Sequence, residues 1–337
     1  MQARVLNEME LEILILSYNT RELLRDCLDS VYQKIKGIEF EVMVIDNGSG
    51  DNSTEMIKTE FPQVKLIENR DNLGFARANN QAIRQSGARY LLLLNPDTSL
   101  ANNSCCEMLR FMDEHPQVGI LGCRLLNTDG TIQPSNSSFP NLFTEFLRIF
   151  QLKRLIPGLG LREKVGERLG GILGSTLREY FRVYWDSERI REVDWVSGAC
   201  LLVRRKAVED VGVLDESFFM YYEDADWCYR MRKAGWKTCY FPFFEIIHYV
   251  GKSDSQFNPS TFIERHKSMY HYFRKHQGMT AVFLLRLLIF SGFTLRWLGL
   301  LVIYPFSGEE RQELGKKLYG YLKVMAIKGR SVGRANQ

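Results

Sequence analysis

An apolar run in the first hundred residues ends in side chains that could bind a cation. Four leucines, residues 91–94, are followed directly by Asn95, Pro96 and Asp97. Asn-Pro-Asp is ordinary turn chemistry, so the simple end of a buried strand is one interpretation. The other is chemical, because oxygen ligands suit Mg²⁺ or Mn²⁺, and such ions often share them with the phosphates of a substrate. A carboxylate at a rigid strand end could hold the ion against a diphosphate.

A second acidic stretch, YYEDADW, could take part in proton transfer. Its carboxylates are Glu223, Asp224 and Asp226. Helix capping is the alternative for each of them, and it is strongest for Asp226. The adjacent Glu223-Asp224 pair needs a cation or hydrogen bonds to offset its repulsion. A positioned carboxylate of this kind can act as the general base for a hydroxyl group.

A lone histidine, His248, follows the last predicted strand. From its position alone it is either a structural hydrogen-bonding group or a metal ligand, and both interpretations stay open at this point.

The first hundred residues predict a scaffold for these side chains. Continuous apolar segments alternate with amphipathic ones, which is typical of a parallel sheet with helices on both faces. Ligands of such sheets bind beyond the carboxyl ends of the strands. The predicted strands are residues 11–17, 40–49, 64–70, 90–97, 193–205 and part of 237–253, and the predicted helices are 20–34, 53–61, 74–87 and one that opens at Asp224.

Composition and local patterns exclude several classes of protein. The chain has 337 residues, of which 45% are hydrophobic, enough for one large domain or two smaller ones. A net charge of +4 is too weak to indicate nucleic-acid binding. The seven cysteines form no CxxC pair, so we expect reduced core cysteines of a cytoplasmic protein. No GxGxxG follows any strand, which argues against a dinucleotide-dependent dehydrogenase. The first apolar run, which begins at Leu11 behind two glutamates, indicates a strand and not a signal peptide.

Residues 141–193 interrupt the alternating pattern. They mix aromatic and aliphatic residues with many cations, Arg148 among them. Two interpretations carry equal weight: a helical excursion packed on the core, or a basic, apolar-faced surface near a membrane or an anionic lipid substrate.

The C-terminal region predicts contact with a membrane. Residues 281–306 are strongly apolar but include Arg286 and Arg296, which argues against a simple span and favours a hairpin or an in-plane helix with the arginines at the headgroups. The basic residues of 315–330 suit an anionic leaflet. A dimer interface is the alternative for the same apolar surface. We therefore predict a catalytic domain at 1–260, which contains the helical insert at about 141–193, and a helical, membrane-associated region at 261–337.

Seven short motifs occur in order between residue 11 and about residue 253. They are ILSYN, VIDNGS, NLGFARANN, LLLLNPDT, VSGACLLVRR, FFMYYEDADWCYR and IIHYVGKS. Each motif is weak alone, but the ordered set resembles the family 2 inverting glycosyltransferases of the GT-A fold, and especially their rhamnosyltransferase-like branch. The resemblance implies an α/β, Rossmann-like, mainly parallel sheet, a nucleotide-diphosphate sugar donor, an Mg²⁺ or Mn²⁺ ion, and inversion by direct displacement.

The resemblance also implies roles for individual residues. Asp224 matches the catalytic base, and Glu223 matches the neighbour that positions the acceptor. Asp97 matches the metal-binding end of the Asp-x-Asp motif, whose first position is Asn95 here, as is common in this branch. His248 matches a further metal or diphosphate contact. The residues expected to bind the nucleotide sugar are Ser17, Tyr18, Asn19, Asp46 (through the pyrimidine base), Asn72, Gly74, Arg77, Asn95, and Ser197, Gly198 and Ala199 at the floor of the sugar pocket.

The leading hypothesis is a metal-dependent, inverting glycosyltransferase at the cytoplasmic face of the plasma membrane, active in bacterial polysaccharide or cell-wall synthesis. It would move a sugar to a hydroxyl of a glycan or a polyprenyl-diphosphate-linked acceptor. The branch resemblance implies that this sugar is L-rhamnose and that its donor is dTDP-rhamnose. UDP-galactofuranose, UDP-hexoses and GDP-mannose stay open as donors. An inactive nucleotide-sugar- or glycan-binding member should lack Asp97 or Asp224, and both are present. A nucleotidyltransferase should carry a glycine-rich, basic loop after the first strand, and SYNTREL is not one.

Overall fold

A computed structural model describes residues 9–151, 188–249, 257–306 and 310–327 of the chain. The chain divides into two units. The first consists of Met1–Ser138, Asp186–Glu216 and Asp224–Tyr249, and the second of Phe139–Trp185, Ser217–Glu223 and Val250–Gln337. The second unit includes segments on both sides of residue 260, the predicted domain boundary, and that boundary stays a prediction.

The described residues contain the following elements, labelled in chain order. The strands are β1 (Leu11–Ser17), β2 (Phe40–Asp46), β3 (Lys65–Glu68), β4 (Tyr90–Leu94), β5 (Thr98–Leu100), β6 (Val118–Leu126), β7 (Ile132–Gln133), β8 (Asn136–Ser137), β9 (Arg191–Glu192), β10 (Trp195–Val196), β11 (Cys200–Arg204) and β12 (Lys237–His248). The helices are α1 (Arg21–Lys34), α2 (Ser53–Glu60), α3 (Phe75–Gln85), α4 (Cys105–Glu114), α5 (Leu142–Ile149), α6 (Arg205–Val211), α7 (Glu223–Lys233), α8 (Pro259–Ile303) and α9 (Arg311–Met325).

The first unit is built on a mixed, mainly parallel sheet, as the sequence predicts. Its main path runs β3-β2-β1-β4-β11-β6-β12-β5. Strands β1 to β4 pair in parallel, β12 runs parallel to β6, and β11 is antiparallel to both of its neighbours. The register places Ser17 beside Asp46, so the ends of β1 and β2 lie together. The carboxyl ends of these strands form the edge at which ligands of such sheets bind.

Apolar burial explains why these segments form these elements. All five residues of β4 are buried, as expected of a strand covered on both faces. The sequence predicts one apolar face of α1 from Leu23, Leu24, Cys27, Leu28 and Val31, and all of these except the partly exposed Leu23 are fully buried. Each such aliphatic side chain stabilises the fold by about 1.5–3 kcal/mol. All of the cysteines except Cys106 are buried, in agreement with the predicted core positions.

The structure divides the predicted strand 193–205 into two. Strand β10 pairs with β8 in a separate two-stranded sheet, whereas β11 joins the main sheet. Residues 197–199 turn between them. Strand β9, at the end of the predicted insert, already pairs with β12. Most of that insert, residues 152–187, lies outside the described residues. Both interpretations of the insert therefore stay predictions.

In the second unit, α8 reverses direction at Gly278. This residue has φ 82°, a left-handed conformation that glycine adopts because it lacks a Cβ atom. The ring centroids of Phe262 and Phe293 lie 5.6 Å apart. A straight helix would separate these two residues by about 45 Å along its axis. Helix α8 is therefore a helical hairpin, and α9 packs on it through Tyr321, which stacks on Phe293 at 5.0 Å.

The bend corrects the prediction for residues 281–306. The hairpin turn precedes this segment, and 281–303 continues as one helix, so a hairpin within the segment is wrong. Arg296 donates to the carbonyl of Ile149 and lies over the Phe293 ring. Arg286 is exposed.

The second half of α8 carries a large exposed apolar surface, which we call the apolar face of α8. By length and composition alone, α8 is long and apolar enough to cross a membrane. Only 33% of its most apolar 18-residue stretch is buried within the protein. The exposed residues that define this face are Met279, Phe283, Leu284, Leu287, Phe290, Leu295, Leu298, Leu301, Val302 and Ile303.

Candidate active site

The end of β2 presents a buried carboxylate with an unused oxygen. Oδ1 of Asp46 accepts hydrogen bonds from the backbone N–H groups of Gly48 (3.1 Å) and Ser49 (2.9 Å). Its Oδ2 is buried and has no hydrogen-bond partner among the residues that the structure describes. Gly48 has φ 83°, and a Cβ there would lie 3.0 Å from the carbonyl oxygen of Arg70, so the turn needs glycine. The orphaned oxygen is suited to accept an N–H group from a ligand.

The end of β1 is joined to this turn. The backbone N–H of Asn19 donates to Ser49 Oγ at 2.9 Å, and Asn19 Oδ1 accepts from the N–H of Gly50 at 2.8 Å. Ser17 is fully buried, and its hydroxyl contacts that of Thr20 at 3.0 Å. The ring of Tyr18, by contrast, is 46% exposed. Tyr18 therefore presents an accessible side chain at this strand end, while Ser17 and Asn19 make the contacts that hold the loops.

The loop between β3 and α3 is organised by Asn47, a residue that sequence reasoning missed. Asn47 Oδ1 accepts from the N–H of Leu73 at 3.0 Å, and its Nδ2 donates to Asn72 Oδ1 at 2.9 Å. Asn72 Oδ1 also accepts from the N–H of Gly74, which has φ 81°. Arg77 lies exposed on the first turn of α3. Asn72 and Gly74 thus shape the loop that leads into α3, on which Arg77 is an exposed cation.

The run of leucines ends in a constrained turn. The N–H of Asn95 donates to the carbonyl of Ala199 at 2.9 Å, and Thr98 Oγ1 donates to the carbonyl of Asn95 at 2.7 Å. The thiol of Cys27 lies 3.7 Å from the same carbonyl, and burial raises its pKa to about 12. These contacts hold the backbone around Asp97, whose carbonyl accepts from the N–H of Tyr249 at 2.9 Å.

Asp97 and His248 meet at the edge of the sheet. Strands β5 and β12 pair with Thr98 opposite His248. The Nε2 atom of His248 lies 3.3 Å from Asp97 Oδ1. Its Nδ1 atom lies 2.8 Å from Oε1 of Gln133, a second residue that sequence reasoning missed. The available signal for Gln133 was its position as the polar residue that ends the short TIQ segment.

The Asp97–His248 pair has the donor set of a divalent cation site. Carboxylate oxygen and imidazole nitrogen both bind Mn²⁺ and related ions. Adjacent ligands of a six-coordinate ion lie roughly 3 Å apart when each bond is about 2.1 Å, close to the observed 3.3 Å. Within the described residues, no third His, Cys, Asp or Glu side chain completes a cluster with them. The residues present fit an ion that takes its remaining ligands from phosphate and water.

Asp224 contacts the turn that follows β10. Its Oδ2 accepts from the N–H of Gly198 at 3.1 Å, and its Oδ1 accepts from the N–H of Ala225 at 2.7 Å. A Cβ at residue 198 would lie 3.5 Å from the Phe75 ring and 3.8 Å from the Asp224 Cβ, so the turn passes closely between these side chains. Ser197 Oγ accepts from the N–H of Ala199 at 3.3 Å. Asp224 remains partly exposed.

The other two carboxylates of the acidic motif are buried. Glu223 begins α7 and is 5% exposed. Asp226 is fully buried and accepts from Arg230 Nε at 2.8 Å. Arg230 also donates to the carbonyls of Val211 and Val213. Asp226 thus has a structural role, through an ion pair one turn along the helix.

The chain matches two family models. The model described as "Glycosyl transferase family 2" matches residues 12–168, and the one described as "Glycosyl transferase family group 2" matches residues 149–326. The sheet, the strand-end site and these matches together define a glycosyltransferase of the GT-A type. The chain belongs to glycosyltransferase family 2.

Its relatives include rhamnosyltransferases. The chain is 30% identical over 254 residues to N-acetylglucosaminyl-diphospho-decaprenol L-rhamnosyltransferase of Mycobacterium tuberculosis. The aligned region covers 70% of this chain and 76% of that protein. It is 26% identical over 207 residues to the rhamnosyltransferase WbbL of Escherichia coli, covering 59% and 69% respectively. These likenesses support the predicted branch of the family.

A solved structure supports the fold. The mannosyltransferase PcManGT of Pyrobaculum calidifontis, in complex with GDP-Man and Mn²⁺, is similar with a TM-score of 0.55 and 13% identity. The match covers 95% of this chain and 88% of that one.

Proposed function

We propose that this glycosyltransferase moves L-rhamnose from dTDP-rhamnose to a hydroxyl group of a polyprenyl-diphosphate-linked acceptor, with inversion at the anomeric carbon. The relative from Mycobacterium tuberculosis is named for rhamnosyl transfer to a decaprenyl-diphosphate-linked N-acetylglucosamine. The structural observation that carries the proposal is a pair of hydrogen bonds that connects the two acidic motifs at the strand ends. The N–H of Asn95 donates to the carbonyl of Ala199, and the N–H of the adjacent Gly198 donates to the side-chain carboxylate of Asp224, so one short turn connects the two acidic motifs.

In this proposal Asp46 recognises the base of the donor. Thymine and uracil each carry one ring N–H group that can donate a hydrogen bond. The unpartnered Oδ2 of Asp46 supports this role, because Oδ1 is already used by Gly48 and Ser49. Tyr18 offers an exposed ring at the neighbouring strand end. Asn72 and Gly74 shape the adjoining loop, and Arg77 supplies a cation.

Asp97 and His248 would hold the divalent ion, Mg²⁺ or Mn²⁺, against the donor diphosphate. When it is bound, the ion offsets the negative charge that develops on the departing diphosphate. The position of Asp97 in a turn held on several sides supports this role, since a rigid ligand does not need to be reorganised during the reaction.

Asp224 would act as the general base. Its carboxylate takes the proton from the acceptor hydroxyl as that oxygen bonds to the anomeric carbon. The bond from this carbon to the phosphate oxygen breaks, and its electron pair leaves with the diphosphate. The N–H groups of Gly198 and Ala225 orient the carboxylate and favour its charged form, which a base needs. Glu223 would position the acceptor, and residues 197–199 with Asn95 would line the sugar pocket.

The apolar face of α8 would associate with the cytoplasmic leaflet, where a lipid-linked acceptor is available. Many large apolar side chains are exposed there, and a surface of this size in contact with water would cause aggregation. Helix α9 adds Lys316, Lys317 and Lys323, and an anionic leaflet attracts each cation near it by about 1 kcal/mol.

A thermal-shift screen with Mn²⁺ and each of dTDP-rhamnose, UDP-galactofuranose, UDP-glucose and GDP-mannose tests the donor assignment. A ligand that binds the folded state raises the unfolding temperature. We expect the largest shift with dTDP-rhamnose. A larger shift with GDP-mannose would contradict the donor, and the absence of a shift with every nucleotide sugar would contradict the transferase site.

A further inference from the structure

A chain of hydrogen bonds connects the turn after β6 to His248. It begins at Asp129, whose Oδ1 accepts from the backbone N–H of Thr131 at 2.9 Å and from its Oγ1 at 2.6 Å. Thr131 donates through that hydroxyl because a carboxylate can only accept. These two bonds lower the pKa of Asp129 below its ordinary value, so the carboxylate stays charged.

The direction of the first bond determines the direction of the next two. Because the hydroxyl of Thr131 donates its hydrogen bond to Asp129, Thr131 Oγ1 acts as the acceptor for Asn127 Nδ2, at 2.8 Å. The Oδ1 atom of Asn127 then faces Nε2 of Gln133 at 3.4 Å. The other atom of the Gln133 amide, Oε1, is therefore the one that faces His248 Nδ1, at 2.8 Å.

The backbone supports this order of contacts. The N–H of Asn127 donates to the carbonyl of Thr131 at 2.8 Å, and Gly130, with φ 79°, allows the tight turn between them. Strand β7 pairs with β6 so that Gln133 lies opposite Leu125, and β6 pairs with β12. The sheet register therefore brings the Gln133 amide to the imidazole.

A carbonyl oxygen at Nδ1 requires a proton on that nitrogen. In the neutral imidazole, Nε2 then carries the lone pair. This lone pair faces Asp97 Oδ1 at 3.3 Å. Both atoms are acceptors, so a cation, either a proton or a metal ion, must lie between them. We propose that Asp129, Thr131, Asn127 and Gln133 form a relay that holds His248 in the Nδ1-protonated tautomer and turns its Nε2 toward a divalent ion shared with Asp97.

The relay residues are positioning residues, and the inference rests on the proposed metal site. Partners of this kind fix both the tautomer and the ring orientation of a metal-binding histidine, and their loss typically costs 10–100-fold in metal affinity. Gln133 should therefore matter for metal binding, although in this arrangement it does not touch the ion.

Nitrogen-15 NMR of the full-length, metal-free protein tests the tautomer directly. We expect His248, assigned by comparison with a His248→Gln sample, to be protonated at Nδ1. Gln133→Leu should remove this preference, whereas Gln133→Glu should keep it because its carboxylate still accepts from Nδ1. Thr128→Val, on the same turn, is the matched control and should leave the spectrum unchanged. An Nε2-protonated His248 in the unmodified protein would overturn the inference.

Binding of Mn²⁺ in the presence of dTDP, measured by electron paramagnetic resonance of the free ion, provides the second readout. Gln133→Leu should weaken binding by about 10–100-fold, and Thr131→Val should weaken it less. Equal affinity of Gln133→Leu and the unmodified protein would overturn the relay. If the unmodified protein binds no Mn²⁺, the proposed metal site is wrong, and the NMR result still decides the tautomer.

Discussion

Oδ2 of Asp224 accepts a hydrogen bond from the backbone N–H of Gly198 at 3.1 Å. The next residue, Ala199, accepts through its carbonyl from the N–H of Asn95 at 2.9 Å. The acidic motif of α7 and the Asn-Pro-Asp turn after β4 are therefore two contacts apart, on either side of one short turn. This relationship gives the predicted base and the predicted metal ligand a common frame.

Asp224→Asn should slow sugar transfer by roughly 10²–10⁴-fold, the usual contribution of a general base. The amide keeps the size of the carboxylate and one of its two hydrogen bonds to N–H groups, so donor affinity should change little. Steady-state kinetics and nucleotide titration separate the two quantities. A comparable loss of nucleotide affinity would instead make Asp224 a donor ligand.

Asp226→Asn is the matched comparison. It should lower the stability of the protein and leave the rate of sugar transfer nearly unchanged. It weakens the buried ion pair with Arg230, so the unfolding temperature should fall. The activity per folded molecule should be nearly unchanged. A rate loss as large as that of Asp224→Asn, without loss of stability, would show that the two carboxylates are assigned the wrong way round.

Asp97→Ala should abolish metal-assisted transfer, with a loss of at least about 10²-fold. The fold should survive because Asp97 lies in a partly exposed turn. The control is Asp210→Asn, which removes only the exposed ion pair with Lys206. If purified Asp97→Ala transferred sugar at the normal rate in EDTA, the metal assignment would be wrong.

Asp46→Asn should weaken binding of dTDP and UDP about tenfold or more, equivalent to about 1.4 kcal/mol. The amide oxygen takes the position of Oδ1, where two N–H groups need an acceptor. Its NH₂ group must then replace the unpartnered Oδ2 and would face the ring N–H of the base, donor against donor. Isothermal titration measures the effect, and unchanged affinity for both nucleotides would exclude base recognition by Asp46.

Stability of the second unit should fall as the pH is lowered through 6.5. Burial lowers the pKa of His266 to about 3, whereas the unfolded chain has an ordinary value of about 6.5. The unfolded state therefore binds more protons below pH 6.5, and this costs about 2 kcal/mol at pH 5. His266→Phe, which keeps a ring beside Phe262 and Phe293, should remove that part of the pH dependence. Unfolding curves of both proteins with identical pH dependence would contradict the buried neutral imidazole.

Replacing Phe283, Leu287 and Phe290 together by serine should abolish flotation with anionic vesicles, because each exposed apolar side chain would otherwise contribute about 1.5–3 kcal/mol on burial. The control is Phe243→Ser, an equally exposed residue of the first unit. A full-length protein that fails to float and sediments as a detergent-independent dimer would favour the dimer interface.

The sequence predicts the sheet well because its signals are local. The apolar run of β4 and the polar residues directly after β1, β2 and β4 can be recognised from the order of residue types alone. Other features depend on contacts between distant segments. The Gln133 amide reaches His248 only through the pairing of β7, β6 and β12, and the reversal at Gly278 becomes evident only from the contact of Phe262 with Phe293. The sequence favours a structural role for Asp226 over Asp224, but the buried ion pair of Asp226 with Arg230 becomes evident only in the structure.

The central claim is best tested by incubating the purified protein and Mn²⁺ with dTDP-β-L-rhamnose and a short polyprenyl-diphosphate-linked N-acetylglucosamine, and determining the anomeric configuration of the product by proton NMR. We predict an α-L-rhamnosyl product and release of dTDP, with neither formed by Asp224→Asn at a comparable rate. A β-linked product would contradict single displacement. Transfer that proceeds only from another nucleotide sugar would contradict the rhamnosyl donor.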